Sequence, residues 1–196
     1  VICCGTSIGV GSMKPGSTVA VSIDGGRTFS PRQRIVGEKR WDIEGCPLKP
    51  TTVAARGREI HAAYFTGAED PAGVYVVRST DDGKTWSAPL LAHPGAATSD
   101  APVLALAGST LHLFWHGKVG TGARRIYTRA STDGGASFGP VSELPAPPGA
   151  TQLPAVAARA NGSVQIAWQQ GTEVRSMRWQ AAPSAAPLAA QAAPSP

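Results

Sequence analysis

Three copies of one octapeptide carry the most regular chemistry in this sequence. They are Ser22-Ile23-Asp24-Gly25-Gly26-Arg27-Thr28-Phe29, Ser79-Thr80-Asp81-Asp82-Gly83-Lys84-Thr85-Trp86 and Ser131-Thr132-Asp133-Gly134-Gly135-Ala136-Ser137-Phe138. Each sets a carboxylate two residues after a serine and closes on an aromatic ring, S-x-D-x-G-x-x-(F/W). Recurring carboxylates invite a reading as acids of a repeated site. The neighbouring residues favour a structural use: the carboxylate accepts hydrogen bonds from backbone N–H groups further along, and Gly26, Gly83 and Gly135 take the positive φ that such a turn requires. The rings of Phe29, Trp86 and Phe138 then plug gaps between neighbouring sheets.

The elements that position these turns follow from their spacing. The three aspartates lie 57 and 52 residues apart, a period that signals a propeller or solenoid with one sheet per repeat. The octapeptides resemble the Asp-box (BNR) repeats of sialidase-like β-propellers. That resemblance implies an all-β propeller of four-stranded antiparallel blades over residues 1–179, with each box closing the turn between a blade's third and fourth strands, away from any active site.

Short apolar runs bounded by Gly and Pro supply the strands. The second unit is expected at 51–56, 60–65, 74–79 and 88–92, the third at 103–107, 111–116, 126–130 and 140–144, and the fourth at 155–159, 164–169 and 174–179. The fourth has no box and no outer strand. The first unit offers residues 2–10 as an inner strand, 17–23 as the third and 32–36 as the outer one, so one strand is missing. The total is about three and a half to four blades, against the four to eight that close a ring. Swapped ends, a side-by-side dimer, a covering partner subunit or a longer parent protein each satisfy the open edge.

Composition narrows the function classes. The 196 residues hold 23 Gly and 17 Pro, above average usage without signalling disorder throughout. Net charge is +5, yet only Arg32, Arg34, Lys39 and Arg40 cluster, which argues against a nucleic-acid surface. No run of 18 apolar residues predicts a membrane-spanning helix. A start without Met or a signal-like segment reads as a mature or truncated product, and the adjacent cysteines with family habit place it outside the cytoplasm, periplasmic or secreted. Residues 180–196, built of Ala, Pro, Ser, Gln and one Leu, read as a flexible tail.

In an up-and-down blade the boxes share one rim, and the second-to-third turns and blade connections share the other, where function is expected. The candidates there are Arg40, Trp41, Asp42, Glu44 and Lys49 in the first connection, Glu69 and Asp70 in a turn, Asp100 before an inner strand, and Lys118. Cys3 and Cys4 on the first strand and Cys46 before the second blade fall near one another in this layout. The residues admit a disulfide from Cys46 to Cys3 or Cys4, buried thiols, or a thiolate site for Cu(I) or zinc that lacks CxxC spacing. His112 and His116, about 13 Å apart along a strand, cannot chelate one ion together.

A sialidase-type site needs a tyrosine nucleophile with a carboxylate, an acid and an arginine cluster. Tyr64, Tyr75 and Tyr127 all fall in expected strands with no assignable glutamate partner, and no arginine triad can be placed. The expected function is therefore a non-catalytic, extracytoplasmic propeller module that binds protein or glycan, an accessory subunit of a larger assembly, with a partner or second copy over the open edge and no cofactor or metal. The alternatives are a degenerate or fragmentary sialidase-like hydrolase and a thiol-based metal-binding module.

Overall fold

The computed structural model describes residues 2–6, 17–35, 50–67, 71–94, 100–118, 121–159 and 161–180, with backbone alone for 2–6, 100 and 101. The described residues are all-β. The first sheet holds β1 (Ile2–Thr6), β2 (Ser17–Val21) and β3 (Gln33–Arg34), in that order. The second holds β4 (Thr52–Arg56), β5 (Glu59–Thr66), β6 (Gly73–Ser79) and β7 (Leu90–Pro94). The third holds β8 (Asp100–Ala107), β9 (Thr110–Gly117), β10 (Arg125–Ser131) and β11 (Ser142–Glu143). The fourth holds β12 (Thr151–Ala158), β13 (Val164–Gln170) and β14 (Glu173–Trp179). Every pairing is antiparallel and sequential, and β8 packs against both β4 and β12. This is the expected propeller arc.

Period-two alternation explains why these strands stack as blades. Trp115 and Leu113 point to one face of β9 and join Phe65, Val74 and Val76 of the second blade. Phe114, one residue away, points to the other and joins Val164, Ile166 and Trp168 of the fourth. The first seam is filled by Val19 and Ile35 against Ala62, Tyr64, Tyr75 and Val77. Each seam is thus a separate core, and β9 contributes to two of them.

All three boxes have the same wiring. In the second, Ser79 Oγ donates to Asp81 Oδ1 at 2.7 Å and accepts from Gly83 N at 2.9 Å. Thr85 donates its N–H to Asp81 Oδ1 at 2.9 Å and its hydroxyl to Oδ2 at 2.6 Å. Gly83 has φ 80°, and a Cβ there would sit 2.8 Å from Val21 of the preceding blade, so glycine is required twice over. The third box brings Gly135 against buried His61 of the second blade, whose Nε2 lies 3.0 Å from Glu59 Oε1. Trp86 reaches back to donate its ring N–H to Gln33 of β3 at 3.1 Å. Phe138 packs into the second-to-third seam. The aspartates are turn staples, and two of their three rings fill seams.

The structure departs from the sequence-based layout at several strands, among them β8, which begins at Asp100 rather than at 103. β1 pairs with β2 in the place that β5 and β9 hold in the complete blades, so it is a second strand, and among the described residues this blade has no innermost strand. Cys3 and Cys4 therefore lie opposite Ala20 and Val19 rather than on an inner strand. The outer strand of the second blade begins at Leu90, not Ala88, because Arg78 and Ser87 pair across the box and extend the turn. β12 begins at Thr151, four residues early, because a bulge between Gln152 and Ala155 accommodates Pro154 within the ladder.

Two outcomes are expected. Leu113→Ala removes fully buried seam contacts and lowers unfolding free energy by about 2–5 kcal/mol in urea titration, whereas Val141→Ala at an exposed site changes it by about 0.5 kcal/mol or less. Asp24, Asp81 and Asp133 are held well below the ordinary aspartate value of 3.8, chiefly by the Thr28, Thr85 and Ser137 side chains. Their ionised forms favour the fold, so this stabilisation is complete at neutral pH and is lost as acidity passes below pH 3.8 towards the depressed native values. Urea midpoints measured from pH 6 downward should fall over that window, and less steeply in Asp133→Asn.

Candidate functional site

Starts of the inner strands, ends of the second strands and starts of the third strands meet on the rim opposite the boxes. A repeated device locks this rim. Thr51, just ahead of β4, shares a 2.5 Å hydroxyl hydrogen bond with Ser17, which opens β2 of the preceding blade. Thr151, which opens β12, accepts from Ile126 N of the preceding blade at 3.0 Å and donates its own N–H to Arg124 O at 2.8 Å. A hydroxyl at the head of an inner strand ties each of these blades to the one before it.

The same edge carries the strained part of the rim. Asp100 opens β8 opposite His116, the penultimate residue of β9. His116 is buried, and its Nδ1 accepts the Leu153 N–H of the fourth blade at 2.9 Å. An accepting Nδ1 places the ring proton on Nε2. Leu153 sits at φ 53° with its side chain 57% exposed, a conformation that bulky residues rarely adopt. Here the β12 bulge and the histidine hold an apolar side chain out at the rim.

The described cations and tyrosines have other duties. Arg125 donates to Glu143 at 2.6 Å and to the carbonyls of Ala146, Pro147 and Gly149 at 2.9, 2.9 and 2.7 Å, wrapping the connection into β12. Arg129 donates to the Phe138, Gly139 and Ala92 carbonyls, and burial holds its guanidinium below its usual range. Arg78 donates to Gly134 O and Arg56 to Gly108 O. Arg56, Arg78 and Arg129 brace neighbouring blades and Arg125 ties its own blade to the connection that follows, so these four hold structure rather than form a substrate clamp. Tyr75 donates to Pro71 O at 2.6 Å and stacks on Tyr64, which fixes the C-terminal end of the turn that carries Glu69 and Asp70.

Tyr127 does face a glutamate, contrary to the sequence-based expectation: it is in register with Glu143 across β10 and β11. Burial first and the Glu143 charge second push its phenol pKa up. A nucleophile needs the opposite shift, and the pair stands on the outer strands with Glu143 already bound to Arg125. It belongs to the blade wall.

Of the candidates expected on this rim, Lys118 is exposed at the end of β9 and Asp100 lies beside His116 in register. Arg40, Trp41, Asp42, Glu44, Lys49, Glu69, Asp70 and Cys46 lie outside the described residues, as do the side chains of Cys3, Cys4 and Asp100. Among the described residues no group of three or more His, Cys, Asp or Glu side chains is arranged to hold a metal ion. The Thr51 and Thr151 ties, and the His116–Leu153 contact, carried no sequence signal beyond position within the repeat. Leu153→Asn, which tolerates positive φ better, is expected to raise thermal stability by on the order of 1 kcal/mol, while His116→Phe lowers it. Differential scanning calorimetry of the two variants checks the pair.

The BNR/Asp-box repeat family matches residues 77–88, the second box. No curated protein sequence matches the chain. Among solved structures, an α-L-arabinanase from Penicillium chrysogenum complexed with arabinobiose is similar, with 17% identity and TM-score 0.58, over 89% of this chain and 55% of its own length. A mutant α-L-arabinofuranosidase from Fusarium graminearum with an iminosugar inhibitor gives 17% identity and TM-score 0.57, over 92% and 59%. The GH93 α-L-arabinofuranosidase of that fungus with arabinobiose gives 16% and 0.57, over 89% and 58%. The chain thus spans little more than half the length of these structures.

These matches overturn the expectation of a non-catalytic module, because the propellers that superpose on nearly the whole chain are glycosidases. That expectation rested on the incomplete blade count and unpaired edge together with the missing sialidase residues, but one frame carries several catalytic sets, and lacking one does not remove the others. The chain carries an Asp-box (BNR) repeat and has the β-propeller fold.

Proposed function

We propose that this chain is glycoside hydrolase-like and binds an arabinofuranose-type glycan at the rim opposite the boxes. The observation that carries the reading is superposition over 89–92% of the chain on an arabinanase and two arabinofuranosidase structures. The local chemistry agrees with it. Glycosidic cleavage needs one carboxylic acid to protonate the leaving oxygen and a second carboxylate to attack the anomeric carbon or activate water. Asp42, Glu44, Glu69 and Asp70 fall, in chain order, between strands that meet at this rim, and Asp100 opens β8 there. The box aspartates cannot serve, since their oxygens are already taken by turn hydrogen bonds at the other rim.

Arg56, Arg78, Arg125 and Arg129 are committed to carbonyls and Glu143 rather than to a substrate carboxylate. An extracytoplasmic location, where polymeric glycans are met, belongs to this same proposal.

The test is hydrolysis of an aryl α-L-arabinofuranoside and of arabinobiose by the wild-type chain and by D42N, E44Q, E69Q, D70N and D100N. Two of the five should lower kcat on the order of 10²–10⁴-fold with folding intact, and D133N should lower stability while sparing kcat. Turnover of a fluorogenic sialoside alone would favour the sialidase-type reading, and no product from any of the three substrates would remove the hydrolase reading.

A further inference from the structure

The second and third boxes rest on chemically different supports. In the second, a Cβ on Gly83 would sit 2.8 Å from Val21 of the preceding blade and 3.5 Å from Ile60 of its own, hydrocarbon in each case. In the third, a Cβ on Gly135 would sit 3.1 Å from His61 Nδ1 of the preceding blade and 3.4 Å from Leu111 of its own. His61 thus holds the place that Val21 holds one seam earlier. A titratable ring stands where the repeat needs only an apolar wedge.

The rest of that turn is seated on charge as well. Glu59 Oε1 would lie 3.4 Å from a Cβ on Gly134, and Arg78 donates to the Gly134 carbonyl at 3.2 Å. Arg56 donates to Glu59 at 3.3 Å and to Gly108 O, which joins β4 to the same group. The His61 ring is fully buried, and its Nε2 lies 3.0 Å from Glu59 Oε1. An ionised carboxylate only accepts, so in the neutral ring Nε2 carries the proton and Nδ1 a bare lone pair. Among the described residues that Nδ1 has no hydrogen-bond partner. A proton added there would point at the box backbone with no acceptor, a buried unsatisfied donor on a charged ring.

We propose that His61 makes the second-to-third seam acid-sensitive: neutral, it seats the third box on the second blade, and protonated at Nδ1 it releases that box while the second box stays in place. The charges that face the ring are Glu59 on β5, Arg78 on β6 and Arg56 on β4. The carboxylate of the third box, Asp133, is saturated by Ser131, Ala136 and Ser137. Burial foremost holds the ring below its ordinary value of 6.5; Glu59 pulls it up, and Arg78 and Arg56 push it down. When the box opens, water reaches the ring and restores its ordinary value, so the open state binds the extra proton. Protection is therefore full above pH 6.5 and falls as pH descends through 6.5 towards the depressed native value. This window lies above the one set by the box aspartates, which begins below pH 3.8. The inference rests on packing and not on the glycosidase reading, so either can fail alone.

The test is amide hydrogen exchange of the whole chain from about pH 7.5 to about pH 5, expressed as protection relative to the intrinsic chemical rates. Burial holds His93 and His112 low as well, so the readout is local, residues 131–138 against residues 79–86. Over that range protection of the third box should fall several-fold more than that of the second. His61→Phe keeps an aromatic ring in the seam and cannot titrate, and should abolish the difference. Glu59→Gln removes the carboxylate that offsets the buried charge and should widen it; with the wild type, this variant decides alone if the phenylalanine does not fold. Equal loss at the two boxes in the wild type, a difference that survives in H61F, or one that E59Q does not widen would overturn the inference.

Discussion

Everything in this molecule depends on face-to-face packing between neighbouring blades. A single three- or four-stranded sheet here cannot bury both of its apolar faces, so stability comes from seams, each a small core of β-branched and aromatic side chains. The largest fully buried side chains, Trp115, Tyr64 and Phe114, are all seam residues. The Asp boxes serve the same end. Their serine–aspartate wiring holds a tight turn whose glycine can lie flat on the preceding blade and whose ring fills the wedge.

That division of labour separates the two rims. At the box rim the carboxylates are saturated by short hydrogen bonds and stay ionised, which suits a staple and disqualifies a general acid. At the opposite rim the backbone is tied by threonine hydroxyls and one histidine, while the connections carry the unassigned acids. The only bulky non-glycine residue at positive φ among the described residues, Leu153, stands at this second rim. Strain concentrates where the chain is held by side chains rather than by ladder hydrogen bonds.

The fold was largely legible in the sequence because its signals are local. A repeated turn with obligatory glycines and short apolar runs bounded by Gly and Pro place most strands within two residues. What was missed was not local. The place of β1 depends on which edge of β2 it joins, and the early start of β12 depends on a bulge that tolerates Pro154. The site was less legible. Arginines such as Arg125 and Arg129 look like free cations until folding brings near the carbonyls they bind, in a following connection and in the box and preceding blade respectively. Tyr127 and Glu143 are 16 residues apart in sequence and meet only through register. The expectation of a non-catalytic module searched for one catalytic set on a frame that hosts several.

The central claim is that the box rim is structural and the opposite rim binds glycan. Amide hydrogen exchange of the chain with and without arabinobiose tests it most directly. The account predicts new protection confined to the heads of β8 and β12 and the end of β9, around residues 100–102, 116–118 and 151–154, with the boxes unchanged. Protection at the boxes, or an exchange map that arabinobiose leaves unaltered at saturating concentration, would contradict it.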